Sequence, residues 1–173
     1  MARHRPYYSY VPAPFRLPLA LFMLAAIITS YIDWEGVPEL VVGAAQARDG
    51  DSLVIGRHRI RLQGIDAPEI GQTCRKSGKP WPCGRNAMRH LARLIGNHDV
   101  TCTITKRDRF DRLLAQCRVG QRDLNLSMVR DGMAVSFGEI FRREEQVAKR
   151  QKIGIWAGEF LQPQQWRREN GRS

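Results

Sequence analysis

Three short stretches of this 173-residue sequence gather residue types that could act on a phosphate ester. Asp49–Gly50–Asp51–Ser52 sets two carboxylates in a turn. RLQGIDAPE, from Arg61 to Glu69, places Asp66 and Glu69 just past a strand whose outward face carries Arg61. DRFDR, from Asp108 to Arg112, lies in the turn between two strand-like segments. Phosphodiester hydrolysis needs these types together. Hard carboxylate oxygens hold a calcium or magnesium ion that neutralises the phosphate, and a carboxylate can orient or deprotonate water. Arginines then stabilise the extra charge of the transition state through bidentate hydrogen bonds. Singly, each piece also fits plain structure: DGD makes a turn, D-A-P-E can open a helix, and a hairpin arginine is commonly solvated. The order and spacing of the three stretches carry the reading.

The elements that would position them are short. ELVVGAAQA, SLVIG and HRIRLQGI are rich in β-branched residues and broken by Asp-Gly and Gly-Arg turns, which predicts consecutive strands. Ile60 and Leu62 alternate with Arg59, Arg61 and Gln63, so one face enters a core and the other presents charge. Pro68, Gly71, Gly78, Pro80 and Pro82 predict a loop over residues 66–82. Met88, Leu91, Ala92 and Ile95 recur at helical spacing in Arg85–Ile95, and Gly96 stops the helix. VTCTITK and LLAQCRV predict a hairpin around RDRFD. Helices follow over Asp123–Arg130, N-capped by Asp123, and over Phe141–Lys152. The class is α+β, mainly β: a small barrel carrying about three helices. The segment after Glu159 reads as polar and loose.

Charge and cysteines point the same way. Three basic and three acidic residues up to Ala47 cancel, so the entire net charge of +11 lies in residues 48–173. A small domain that basic attracts polyanions, nucleic acid foremost, although a merely soluble basic surface gives the same count. Residues 1–16 are basic and rich in Pro and Tyr. An uncharged apolar run from Leu17 to Ile32 follows, then a linker over 33–39. Positive residues before the run predict export of everything after it, with the run as a membrane anchor or signal helix. The A-x-A pattern at Ala45–Ala47 lies far from the run, which favours an uncleaved anchor at the periplasmic face over a secreted form.

Four cysteines, Cys74, Cys83, Cys102 and Cys117, suit two disulfides in an oxidising compartment, and their spacing with scattered histidines suits zinc poorly. A regular hairpin sets Cys102 opposite Cys117, with Val100 facing Val119 and Ile104 facing Ala115 on the same apolar side. Opposed residues there bring Cα atoms to about 4.5 Å, inside the roughly 4.4–6.8 Å that disulfides tolerate. Cys74 and Cys83 then close the loop after Glu69.

DGDS, RLQGIDAPE and D-x-F-x-R occur in the order of the staphylococcal nuclease signature, D-G-D-[ST], R-L-x-x-[IV]-D-[AT]-P-E and D-x-[YF]-G-R. Gly132–Met133–Ala134 and Glu145-x-x-Ala148–Lys149 through Gly154–Ile155–Trp156 also look like that family's C-terminal helices. The resemblance covers residues 40–157 and implies a five-stranded OB-type barrel. It further implies a calcium-dependent nuclease acting on DNA or RNA with low sequence specificity, as a monomeric catalytic domain. The 5′ P–O bond is cut, leaving 3′-phosphate ends. By motif position, Asp51, Asp66 and the backbone carbonyl of Ala67 are the metal ligands. Glu69 acts through the attacking water, and Arg61 and Arg112 clamp the phosphoryl oxygens. Two positions depart from the pattern. Asp111 replaces Gly and could pair with Arg112, and Phe110 stands where Tyr is common. The alternatives are a nucleic-acid-binding barrel that does not cut, and a barrel serving cell-envelope or exopolysaccharide assembly.

Overall fold

The computed structural model describes residues 39–171. The apolar run from Leu17 to Ile32 lies outside them, and among the described residues no helix is long and apolar enough to cross a membrane.

Strands β1 (Leu40–Ala47), β2 (Ser52–Ile55) and β3 (His58–Leu62) form an antiparallel meander. The very short β4 (Ile65–Asp66) follows directly. β5 (Cys74–Lys76) and β6 (Lys79–Trp81) make a small separate hairpin, and helix α1 spans Cys83–Ile95. The long β7 (Asp99–Arg107) and β8 (Leu113–Val119) form the second large hairpin, which β9 (Arg122–Asp123) extends. After these come α2 (Leu124–Arg130), β10 (Val135–Ser136), α3 (Arg142–Arg150), a 3₁₀ turn (Gly154–Ala157) and α4 (Pro163–Glu169).

β1 pairs with both β2 and β7, and β3 pairs with β8 in parallel, so five strands close into a mixed barrel. Inward positions recur at period two: Leu53 and Ile55, Ile60 and Leu62, Val100 and Cys102, Leu113, Ala115 and Cys117 are all buried. Outward neighbours are polar except Val54 and Leu114. Buried Asn125 ties the parallel seam together: its amide donates to the carbonyls of Gln63 and Ala115, and its oxygen accepts from the Cys117 N–H.

Cys102 faces Cys117, and the two are bonded with Cα atoms 4.0 Å apart; Cys74 is bonded to Cys83. Both pairings agree with the sequence expectation. The hairpin is less regular than expected, because its register shifts between Ile104 and Lys106. The shift lies on the turn side of the disulfide, so both cysteines still point into the barrel.

Four features correct the sequence reading. The predicted loop over 66–82 contains the β5–β6 hairpin, tied by its disulfide. Helix α1 starts at Cys83 and buries Cys83, Gly84, Ala87, Leu91 and Ile95, while Ala92 is exposed and Met88 only half-buried. The small residues at its start bring the helix backbone onto the barrel and rotate the buried stripe. Four α-helices, not three, are present among the described residues. The fourth occupies the segment expected to be loose.

Candidate active site

The barrel assembles a carboxylate centre from three consecutive strand ends. Asp49 shapes the first turn by accepting from the Asp51 N–H (2.9 Å) and the Ser52 hydroxyl (2.7 Å). Asp51 then points inward and is almost fully buried. Asp66 ends β4, where its residue pairs with Val135 of β10, and is also buried. Arg61 reaches up from β3 between them, Nη1 donating to Asp51 Oδ1 at 2.9 Å and Nη2 to Asp66 Oδ1 at 3.0 Å. The Ala67 N–H donates to the other Asp51 oxygen at 3.2 Å.

Two glycines permit this closeness. A side chain at Gly50 would strike the methyl groups of Ala67 and Ala87, and one at Gly84 would collide with the Glu69 carbonyl. Helix α1 therefore abuts the backbone that carries Asp66 and Glu69, which fixes the D-A-P-E turn from behind. Buried Gln72 completes the turn: its Oε1 accepts from the Glu69 N–H (3.2 Å), and its own N–H donates to the Glu69 carbonyl (2.7 Å).

Electrostatics follow from this burial. Desolvation pushes the Asp51 carboxyl well above the usual carboxylate range, with Asp49 and Asp66 adding to the rise and Arg61 opposing it. Burial works against the Arg61 charge, yet Asp51 and Asp66 outweigh it and raise the guanidinium further.

Arg112 arrives from the β7–β8 turn and is oriented separately. Asp108 Oδ2 accepts from its Nε at 2.8 Å, and Asp108 Oδ1 accepts from the backbone N–H groups of Phe110 and Arg112, each at 2.9 Å. Partial burial pushes the Asp108 carboxyl up, but these donors and the Arg112 charge together hold it below its ordinary value. Asp111 does not pair with Arg112, contrary to the concern raised by its place in the sequence. It sits in a left-handed conformation with φ of 59° and bonds Arg107 instead, at 2.9 Å. Phe110 is half exposed, with Arg109 and Arg112 over its ring at 4.8 and 5.4 Å.

Arg61, Glu69, Phe110 and Arg112 border one open cleft of about 730 Å³. Six arginines line it, Arg59, Arg61, Arg109, Arg112, Arg167 and Arg168, against a single carboxylate, Glu69. Such a wall selects for polyanions. The structure thus brings Arg61, Glu69 and Arg112 to one cavity, with Asp51, Asp66 and Ala67 immediately beneath. Arg167 and Arg168 were not anticipated. The only sequence signals for them were a Pro at a helix start, Pro163, and a short run free of breakers after it.

The donor set suits a hard cation. Two buried aspartates and an adjacent backbone carbonyl offer only oxygen, as calcium prefers. Among the described residues no group of three or more His, Cys, Asp or Glu side chains is arranged as a metal cage. A cation there would take its remaining ligands from water and the substrate phosphate.

A family model for staphylococcal nuclease homologues matches residues 59–158. The chain belongs to that family and is of the class of phosphodiester-hydrolysing nucleases. Among its relatives, the succinoglycan biosynthesis protein ExoI of Rhizobium meliloti is 30% identical over 78% of this chain and 73% of its own length. An uncharacterized endonuclease of Haemophilus influenzae is 30% identical over 70% of this chain and 69% of its own. The probable endonuclease LCL3 of Phaeosphaeria nodorum is 35% identical over 63% of this chain, which spans only 42% of that longer protein.

Proposed function

We propose that this protein is an exported, calcium-dependent nuclease that hydrolyses DNA or RNA with little sequence specificity, leaving 3′-phosphate ends. The observation that carries the proposal is Arg61 bridging two buried aspartates beside Glu69, at the base of an arginine-lined cleft. Bound by Asp51, Asp66 and the Ala67 carbonyl, calcium would supply charge neutralisation at the phosphate. The protein's own groups do the rest. Glu69 positions a water and accepts its proton as the oxygen attacks phosphorus, and the P–O5′ bond breaks to release a 5′-hydroxyl whose proton comes from solvent water. Arg61 from β3 and Arg112 from the β7–β8 turn converge on the cleft and hold the non-bridging oxygens, where charge accumulates. A surface made of arginines and two exposed aromatic rings, Phe110 and Phe137, reads backbone charge more than base edges, which supports low specificity. Two disulfides and the apolar run at 17–32 support an exported location, anchored at the periplasmic face of the inner membrane.

The test is digestion of plasmid DNA and of RNA by the purified full-length chain, with calcium or with chelator. Calcium-stimulated cleavage leaving 3′-phosphate ends is the expected result. Tight binding without cleavage would move the protein to the non-catalytic reading. The likeness to ExoI supports a second reading, a role in exopolysaccharide assembly. Loss of exopolysaccharide on gene deletion, with no nuclease activity in vitro, would favour it.

A further inference from the structure

The carboxylates of the site are already paired, and the second partner comes from the far end of the chain. Arg167 of α4 grips Asp66 with both arms of its guanidinium: Nη1 donates to Oδ1 and Nη2 to Oδ2, each at 2.9 Å. The same Nη1 also donates to Glu69 Oε1 at 2.9 Å. Arg61 holds the other side of Asp66 and one oxygen of Asp51, while the Ala67 N–H holds the second Asp51 oxygen. Both oxygens of Asp66 and one of Glu69 are therefore engaged by a residue that belongs to neither the barrel nor the signature motifs.

The segment that delivers Arg167 is anchored in two stages. Arg75 and Glu159 exchange backbone hydrogen bonds of 2.8 Å, and the Gln72 amide donates to the Leu161 carbonyl at 2.7 Å. The first contact ties Glu159 to the disulfide-closed hairpin, and the second ties Leu161 to the turn after Glu69. Beyond them α4 is only seven residues long, and Pro163 is its single buried residue. The ion pairs of Arg167 help hold α4 against the cleft, alongside Pro163 and half-buried Trp166, and α4 can leave while residues 159–161 stay in place.

We propose that Arg167 is the resident counter-ion of the cation site: it neutralises Asp66 and Glu69 until a divalent cation replaces it and frees α4. The proposal rests on the cation reading given above. Asp66 Oδ1 already accepts from both Arg61 and Arg167, and Oδ2 accepts from Arg167, so a divalent ion binding through Asp66 competes with Arg167 for the carboxylate. Bringing two further positive charges beside two guanidinium groups is also strongly unfavourable at such distances.

Calcium titration calorimetry on the full-length protein, without nucleic acid, tests this directly. Arg167→Gln removes both competitor and charge and should bind calcium roughly tenfold more tightly than wild type. Arg168→Gln removes the same charge from the same helix, but Arg168 forms no ion pair with Asp66 or Glu69; that variant should stay within about twofold of wild type. Amide hydrogen exchange of the wild-type protein supplies an independent readout. Calcium should accelerate exchange across residues 163–169 and leave Arg75 and Glu159 protected. Equal calcium affinity in wild type and Arg167→Gln overturns the proposal while leaving the cation reading intact, as does weaker binding by the variant. Slower exchange in α4 on calcium addition overturns it also. If neither protein binds calcium, the cation reading itself falls, and the proposal with it.

Discussion

The cleft has two walls, built by different means. One belongs to the barrel and its turns: Arg61 lies in the β2–β3–β8 ladder, Asp66 on β4 against β10, Glu69 in a turn braced by Gln72 and α1, and Arg112 in a turn that Asp108 cross-braces. The other belongs to the tail: Arg167 and Arg168 stand on one short helix held by ion pairs, one buried proline and half-buried Trp166. The barrel wall cannot move without opening the core, so its local stability approaches that of the whole fold. The tail wall can detach at the cost of a few contacts. A site of this kind separates two tasks. Chemistry needs groups fixed to fractions of an ångström, whereas access of ion and substrate needs something that yields.

The largest effects should come from breaking the barrel wall. Glu69→Gln keeps shape and removes basicity, and should lower turnover by about 10²–10⁴-fold with little change in melting temperature. Arg61→Ala should lose at least as much, because it strips the transition-state contact and also leaves Asp51 and Asp66 facing each other without their shared partner. Arg112→Ala removes a phosphate contact whose orienting group, Asp108, belongs to its own turn. Its loss should therefore fall in kcat with no disturbance of the carboxylates. If either arginine variant raised only KM, that residue would be a binding group.

The two disulfides sharpen the comparison at intermediate size. Cys102–Cys117 crosses the barrel hairpin inside the core, and replacing both residues by Ala should cost about 2–4 kcal/mol of global stability. Cys74–Cys83 closes the hairpin to which Glu159 is tied. Replacing that pair should act locally first, speeding exchange in residues 159–169 before the melting temperature responds. Equal global destabilisation by both replacements would show that the tail is as integral as the barrel.

The same division explains how much could be read from sequence. The barrel wall was legible because its signals are short-range: alternation in HRIRLQGI, the turn residues of DGDS, and the hairpin register that set Cys102 against Cys117. The tail wall was not. Arg167 meets Asp66 from 101 positions away and Glu69 from 98, and α4 carries no apolar periodicity to announce a buried face. Gly84 and Gln72 were missed for a related reason. A close approach of backbones, or an amide serving two segments at once, leaves no local pattern. The error in α1 has the same origin, since its buried stripe was turned by contact with Gly50 and the Glu69 backbone and not by the helix's own composition.

The smallest effect expected is at Asp111, and it tests how rigid the barrel wall's own turn is. Asp111 occupies the position where the family pattern has Gly, with φ of 59° and a side chain 86% exposed. A left-handed L-residue costs roughly 1–2 kcal/mol, less for Asp, which tolerates this region better than most. Replacement by Gly relieves that strain. It also widens the unfolded ensemble, which costs about 0.5–1 kcal/mol. The exposed pair with Arg107 is lost too, and such pairs contribute about 0–1 kcal/mol. The three contributions nearly cancel, so Asp111→Gly should change stability by less than about 1 kcal/mol. Activity should also hold, because Arg112 is oriented by Asp108 and never touches the Asp111 carboxylate. Chemical denaturation and steady-state kinetics on the one variant measure both. A large fall in activity at unchanged stability would mean that the Asp111 carboxylate acts on substrate. A large fall in both would mean that the Arg107 pair sets the turn, and that this part of the barrel wall is softer than its hydrogen bonds suggest.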